Sequence, residues 1–150
     1  LIEMQPEGLD ACSDALHGEK VGVGTLIACK EYHRLKISDE LFWKDYPKID
    51  DDYIKTMFGQ RLSQSIIQEN SNDCALAISA KALQSHWAEI CKIIDSIPTH
   101  EELYEKYKTL GVKSSLTDID VPEEKLCILL EYSPLVRNRL TLMRLRRAIK

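Results

Sequence analysis

The chain has 150 residues, 44% of them hydrophobic and 29% charged, with a formal net charge of −4. That suffices for one compact domain with its own core. It is too balanced for a disordered chain, and the wrong sign for a protein that holds nucleic acid by its overall charge.

The periodicity is helical almost throughout, with no repeat, low-complexity tract or linker, so residues 1–150 are expected to form one all-α domain of six or seven helices. Leu1 to Gln5 read as the tail of a helix begun upstream, and Pro6 and Gly8 as a loop. A helix is predicted from about Leu16 to Leu35. Ser38, Asp39 and Glu40 look like the start of a short helix carrying Leu41, Phe42 and Trp43, stopped by Pro47. The next runs from about Asp51 to Glu69, where Ile54, Phe58, Leu62 and Ile66 recur at every fourth position as one apolar stripe.

Asn70 to Asp73 make a polar break, and Asp73 is placed to cap the longest helix, about Cys74 to Ile97. Leu76, Ala80, Leu83, Trp87, Ile90, Ile94 and Ile97 follow heptad-type steps there. Such a seam packs inside a bundle or, as the second use, joins copies in a homo-oligomer. After Pro98, Thr99 and Glu102 have capping-box spacing, Leu103, Tyr107 and Leu110 form a buried face, and Gly111 stands where glycine ends helices. Pro122 opens a helix with Leu126, Leu129 and Leu130. Ser133 and Pro134 open the last one, with Leu135, Leu140 and Leu145. Its basic end, Arg144, Arg146, Arg147 and Lys150, is read as a solvated helix terminus complementing the dipole, with a phosphate site as the alternative.

Five cysteines are present, Cys12, Cys29, Cys74, Cys91 and Cys127, an odd count without C-x-x-C spacing. Cys12 and Cys29 are expected to be ordinary buried thiols. No apolar run reaches the about 20 residues needed to cross a bilayer, and no signal peptide is visible. A cytoplasmic protein with no membrane partner is expected. The first residue is Leu1 rather than methionine, which predicts a piece of a longer protein.

The most informative stretch is Leu16-His17-Gly18-Glu19-Lys20-Val21-Gly22-Val23-Gly24-Thr25-Leu26. Each glycine inside a helix costs up to about 1 kcal/mol relative to alanine, which points to a close approach to the backbone. No strand precedes the stretch, and Ile27 stands where a dinucleotide fingerprint needs its third glycine. No Gly-Lys-Ser or Gly-Lys-Thr of a P-loop occurs. Taken alone, His17 is either a ligand or a structural or surface residue. His33, His86 and His100 are weaker candidates, and His33 lies too far along the same helix to share a metal with His17. Arg137 and Arg139 are read as salt-bridge partners within the bundle, with a phosphate or a second subunit as the alternative.

His17-Gly18-Glu19-Lys20-Val21-Gly22-Val23-Gly24 resembles the His-Gly-Glu-x-Val-x-x-Gly segment of the iron-containing alcohol dehydrogenase superfamily. That superfamily includes glycerol dehydrogenase, glycerol-1-phosphate dehydrogenase and dehydroquinate synthase. Pro98 to Val112 resembles a late helical segment of glycerol dehydrogenases. Val136-Arg137-Asn138-Arg139-Leu140-Thr141-Leu142 resembles the Arg-Asn-Arg-x-Thr segment of bacterial glycerol-1-phosphate dehydrogenases.

The resemblance implies a multi-helix bundle, the C-terminal domain of a two-domain fold of the dehydroquinate synthase and glycerol dehydrogenase kind. Its N-terminal nucleotide-binding α/β domain would be absent here. It implies that His17 is the second histidine ligand of a catalytic metal (Zn, Ni or Fe). The other histidine and an aspartate would lie upstream of Leu1. The metal would polarise the substrate oxygen as hydride passes between a small polyol or glycerol phosphate and NAD(P). Glu19, Lys20 and Gly22 are candidates for supporting the ligand or admitting substrate. With one ligand of three, the 150 residues alone are expected to hold neither metal nor cofactor firmly and to be inactive. The alternatives are a non-catalytic helical oligomerisation or binding module, and a lyase of the dehydroquinate synthase type.

Overall fold

The computed structural model describes residues 1–6, 9, 14–38 and 41–149. Among them there are seven α-helices: α1 (His17–Ile37), α2 (Asp51–Glu69), α3 (Ala80–Ser85), α4 (Trp87–Asp95), α5 (His100–Leu110), α6 (Leu126–Tyr132) and α7 (Leu142–Leu145). Short 3-10 turns join several of them. No named strand occurs among the described residues, so the fold is an all-α bundle, as the periodicity predicts. No helix is long and apolar enough to cross a membrane among them.

Helix α1 is the central element and packs against α4, α5 and α7. It buries Val23, Leu26, Cys29 and Leu35, which at about 100° per residue spread over more than half of its circumference. Burying a side chain such as Leu26 stabilises the fold by about 1.5–3 kcal/mol. Three apolar clusters run along the molecule. Val23 joins Leu9, Leu116, Ile119, Val121 and Leu129 at one end. Leu35 joins Tyr46, Ala75, Leu83, Leu145 and Ile149 at the other. The apolar side of α2, with Ile54, Phe58 and Ile66, closes on Leu135. The predicted stripe on α2 therefore exists, although Gly59, at φ 66°, breaks the helix into two pieces.

Four expectations change. Ile2–Met4 form a 3-10 turn closed by Gln5 in the left-handed region, not the tail of an α-helix. Residues 41–50 are extended rather than helical. Trp43 bridges Ile149, Lys44 N–H donates to the Ala148 carbonyl, and Tyr46 N–H to that of Ile78, so tertiary pairing takes the backbone groups a helix would use. Asp39 and Glu40 of that predicted start lie outside the described residues, as do Gly8 and Cys12.

The long helix from Cys74 is replaced by turns followed by α3 and α4, which meet at His86. Asp73 caps no long helix. Its Oδ1 accepts from Ala75 N–H and from Arg144, and Ser79 caps α3 instead. The heptad seam is accordingly discontinuous: Leu83 and Ile94 are buried, whereas Leu76 is exposed. The last predicted helix is also broken. Ser133–Leu135 is a 3-10 turn, Leu140 is exposed, and only Leu142–Leu145 is α-helical.

The reading of the two ends of residues 98–111 holds in detail. Thr99 Oγ1 accepts from Glu102 N–H at 3.2 Å, and Glu102 Oε2 accepts from Thr99 N–H at 2.8 Å, closing the capping box. Gly111 ends α5 at φ 65°. The expected buried face is weaker than its spacing predicts: Leu103 and Tyr107 are half-buried and Leu110 is exposed.

Candidate functional site

His17 is the first residue of α1. Two carboxylates organise that helix start. Glu19 Oε2 accepts from Leu16 N–H at 2.8 Å, satisfying one of the free N–H groups of the first turn, and lies 3.3 Å from Lys113 Nζ. The Leu16 N–H bond, reinforced by Lys113, holds the Glu19 carboxyl below its ordinary value. Glu3 comes from the N-terminal 3-10 turn and places Oε1 2.6 Å from His17 Nδ1.

The protonation pattern of this pair follows from the carboxylate. The His17 hydrogen bond, with smaller help from Lys20 and the N-terminus, keeps the Glu3 carboxyl below its ordinary range. Glu3 is therefore ionised at neutral pH and can only accept. The ring proton must sit on Nδ1, which donates to Glu3. In neutral His17 the lone pair is then on Nε2, which has no hydrogen-bond partner among the described residues. The His17 side chain is 73% exposed, so that nitrogen belongs to an open site rather than to the core.

Beside the pair lies a largely apolar cavity of about 220 Å³. Glu3 and Lys20 are its charged lining, with Val21, Gly24, Ile27, Leu130 and Met143 among its apolar walls. Gly22 serves packing: a Cβ there would meet Tyr107 Cε2 of α5 at 3.3 Å, and Tyr107 Oη donates to the Gly22 carbonyl at 3.4 Å. Gly24 has open space around its Cα.

The other sequence candidates lie elsewhere. His33 is sixteen residues along α1, about 24 Å from His17 by helical rise, and its Nε2 is buried without a partner. His86 pairs with Glu89 on the surface, and His100 stacks on Tyr104. Cys29 is a buried thiol that donates to the Pro98 carbonyl. Arg137 and Arg139 are exposed and make no ion pair among the described residues, contrary to the expected salt bridges. Among the described residues no group of three or more His, Cys, Asp or Glu side chains could hold a metal ion.

The basic C-terminus differs most from the reading of a solvated helix end. Arg144 is fully buried. Arg146 pairs with the buried Glu31, which also takes two hydrogen bonds from Arg34. Arg147 pairs with Glu131 at 3.0 Å and lies over the Tyr53 ring. Only the spacing of Glu31 and Arg34, one helical turn apart, signalled any of this in the sequence. Lys150 lies outside the described residues.

Neither protein-family models, nor curated proteins, nor solved structures give a match to this chain.

Proposed function

We propose that this chain is the C-terminal helical half of a metal-dependent NAD(P) oxidoreductase that interconverts glycerol 1-phosphate and dihydroxyacetone phosphate, with His17 as a metal ligand. The observation that carries the reading is the His17–Glu3 pair. Metal-binding histidines commonly give their second ring N–H to a carboxylate, which fixes the tautomer and makes the ligating nitrogen more basic. Glu3 does this to Nδ1 at 2.6 Å and leaves Nε2 as the donor atom. The His-Gly-Glu-x-Val-x-x-Gly resemblance supplies the rest of the case.

When bound, a divalent metal would act as a Lewis acid on the substrate oxygen. This chain's own residues hold and orient. Glu3 keeps the proton on Nδ1, His17 offers Nε2, and Glu19 fixes the first turn of α1 through Leu16 N–H. The described residues fit one ligand position and do not make a full ligand set. The reading therefore assigns the other ligands and the NAD(P) site to a longer protein, and the 150 residues alone are expected to be inactive. Glycerol is the nearest alternative substrate, and a cytoplasmic setting goes with either.

The test is the intact mass of the protein expressed from its own gene, followed by an assay with dihydroxyacetone phosphate, NAD(P)H and added Zn²⁺ or Ni²⁺. The reading predicts a mass more than twice that of this chain and metal-dependent oxidation of NAD(P)H. A mass equal to that of this chain would overturn it.

A further inference from the structure

At the far end of α1 the charge balance of the molecule reverses. A cleft of about 330 Å³ opens between the end of α1, the extended segment 41–50 and the C-terminal turn. Arg34, Lys44, Arg146 and Arg147 line it, together with Ser38 and Glu131. Glu31 lies against Arg34 and Arg146. Among the described residues four cations thus meet two carboxylates in a chain whose overall charge is −4. The carboxylates do not use up the donors. The Lys44 ammonium has no partner among the described residues, and Arg34, whose side chain is 55% exposed, bonds only Glu31 among them.

Glu131 takes Arg147 through Nη2 only, and Glu31 takes Arg34 through Nε and Nη2, so each guanidinium keeps its Nη1 group for a ligand. The C-terminus of α1 contributes about half a negative charge nearby, which the surplus of two positive charges among the described residues outweighs. An acceptor-rich dianion answers both the surplus charge and the unused donors, and guanidinium forks suit phosphate oxygens.

We propose that this cleft is a binding site for a small phosphate monoester, held by Lys44, Arg147 and Arg34. It lies about 25 Å along α1 from His17, so it is a second site and does not depend on the reading of His17.

The test is calorimetric titration of the protein expressed from its own gene with inorganic phosphate, at slightly alkaline pH and constant ionic strength. Wild type is compared with Lys44→Gln, Arg147→Lys and the exposed control Lys92→Gln. Lys44 is exposed and makes no side-chain hydrogen bond or ion pair among the described residues, and circular dichroism checks each variant. The site predicts saturable binding that weakens about fivefold in Lys44→Gln, the upper end for one exposed charge pair. It predicts weakening in Arg147→Lys, which keeps the charge and loses the fork, and no change in Lys92→Gln. Absence of saturable binding, wild-type affinity in Lys44→Gln, or an equal loss in Lys92→Gln would overturn it. The last result would show diffuse surface charge in place of a site.

Discussion

Arg144 and Asp73, 71 residues apart in the chain, meet as a buried ion pair: Arg144 Nε donates to Asp73 Oδ1 at 2.9 Å, and Nη2 approaches Oδ2 at the same distance. The Nη2–Oδ2 approach is an ionic contact without hydrogen-bond alignment. Arg144 Nη1 donates to the carbonyls of Pro134 and Arg137, and Nη2 also donates to Asn70. One guanidinium thus ties the end of α2, the turn after it and the C-terminal segments together. The 3-10 turn and the bend that interrupt the last predicted helix supply the two carbonyls it uses.

Removing one partner of such a pair strands the other charge in the interior. Arg144→Met is expected to lose about 3–5 kcal/mol, against about 5–15 kcal/mol for a whole domain. Urea unfolding measures it. Adding Asp73→Asn should recover part of the loss, because no unpaired carboxylate then remains.

Glu31 sets an acid-side limit on stability. Burial alone would push its carboxyl up, but the hydrogen bonds and charges of Arg34 and Arg146 outweigh burial and hold it below its ordinary value of 4.5. A group depressed in the folded state contributes fully above its unfolded pKa and loses that contribution as pH falls through the folded one. The urea midpoint should therefore fall as pH drops below about 4.5. Glu31→Gln should flatten that fall and lower the midpoint at neutral pH.

The two glycines of α1 should separate cleanly. Gly24→Ala meets nothing within 4 Å and is expected to stabilise the helix by about 0.5–1 kcal/mol. Gly22→Val drives a branched side chain into Tyr107 and should cost about 1–3 kcal/mol. Thermal unfolding of the pair distinguishes a packing glycine from a freely replaceable one.

At the ends of α5 local chemistry dominates. Thr99→Ala removes the cap and should cost about 1 kcal/mol. Gly111→Ala, at φ 65°, should cost about 1–2 kcal/mol.

The contrast between α5 and residues 74–97 shows what the sequence reveals. Thr99, Glu102 and Gly111 act on neighbours three or so positions away, so their spacing carries the whole signal. The helix proposed from Cys74 has good apolar periodicity, yet Asp73 is claimed by Arg144, and Cys74 N–H by the Asn138 side chain. Both partners lie more than sixty residues downstream, and no local pattern announces them. Trp43 and Ile149 end the predicted helix at 41–43 in the same way. His17 stood out through its glycines. Glu3 did not, because a carboxylate fourteen residues away becomes a partner only once the 3-10 turn brings it back.

The central claim, that His17 is a metal ligand, is tested most directly by the metal content of the protein purified from its own gene, wild type against His17→Ala. The account predicts about one equivalent of a divalent transition metal in wild type and its loss in His17→Ala, with the helical circular dichroism spectrum retained. Equal metal content in the two proteins, or none in the wild type after growth with Zn²⁺ and Ni²⁺, would contradict it.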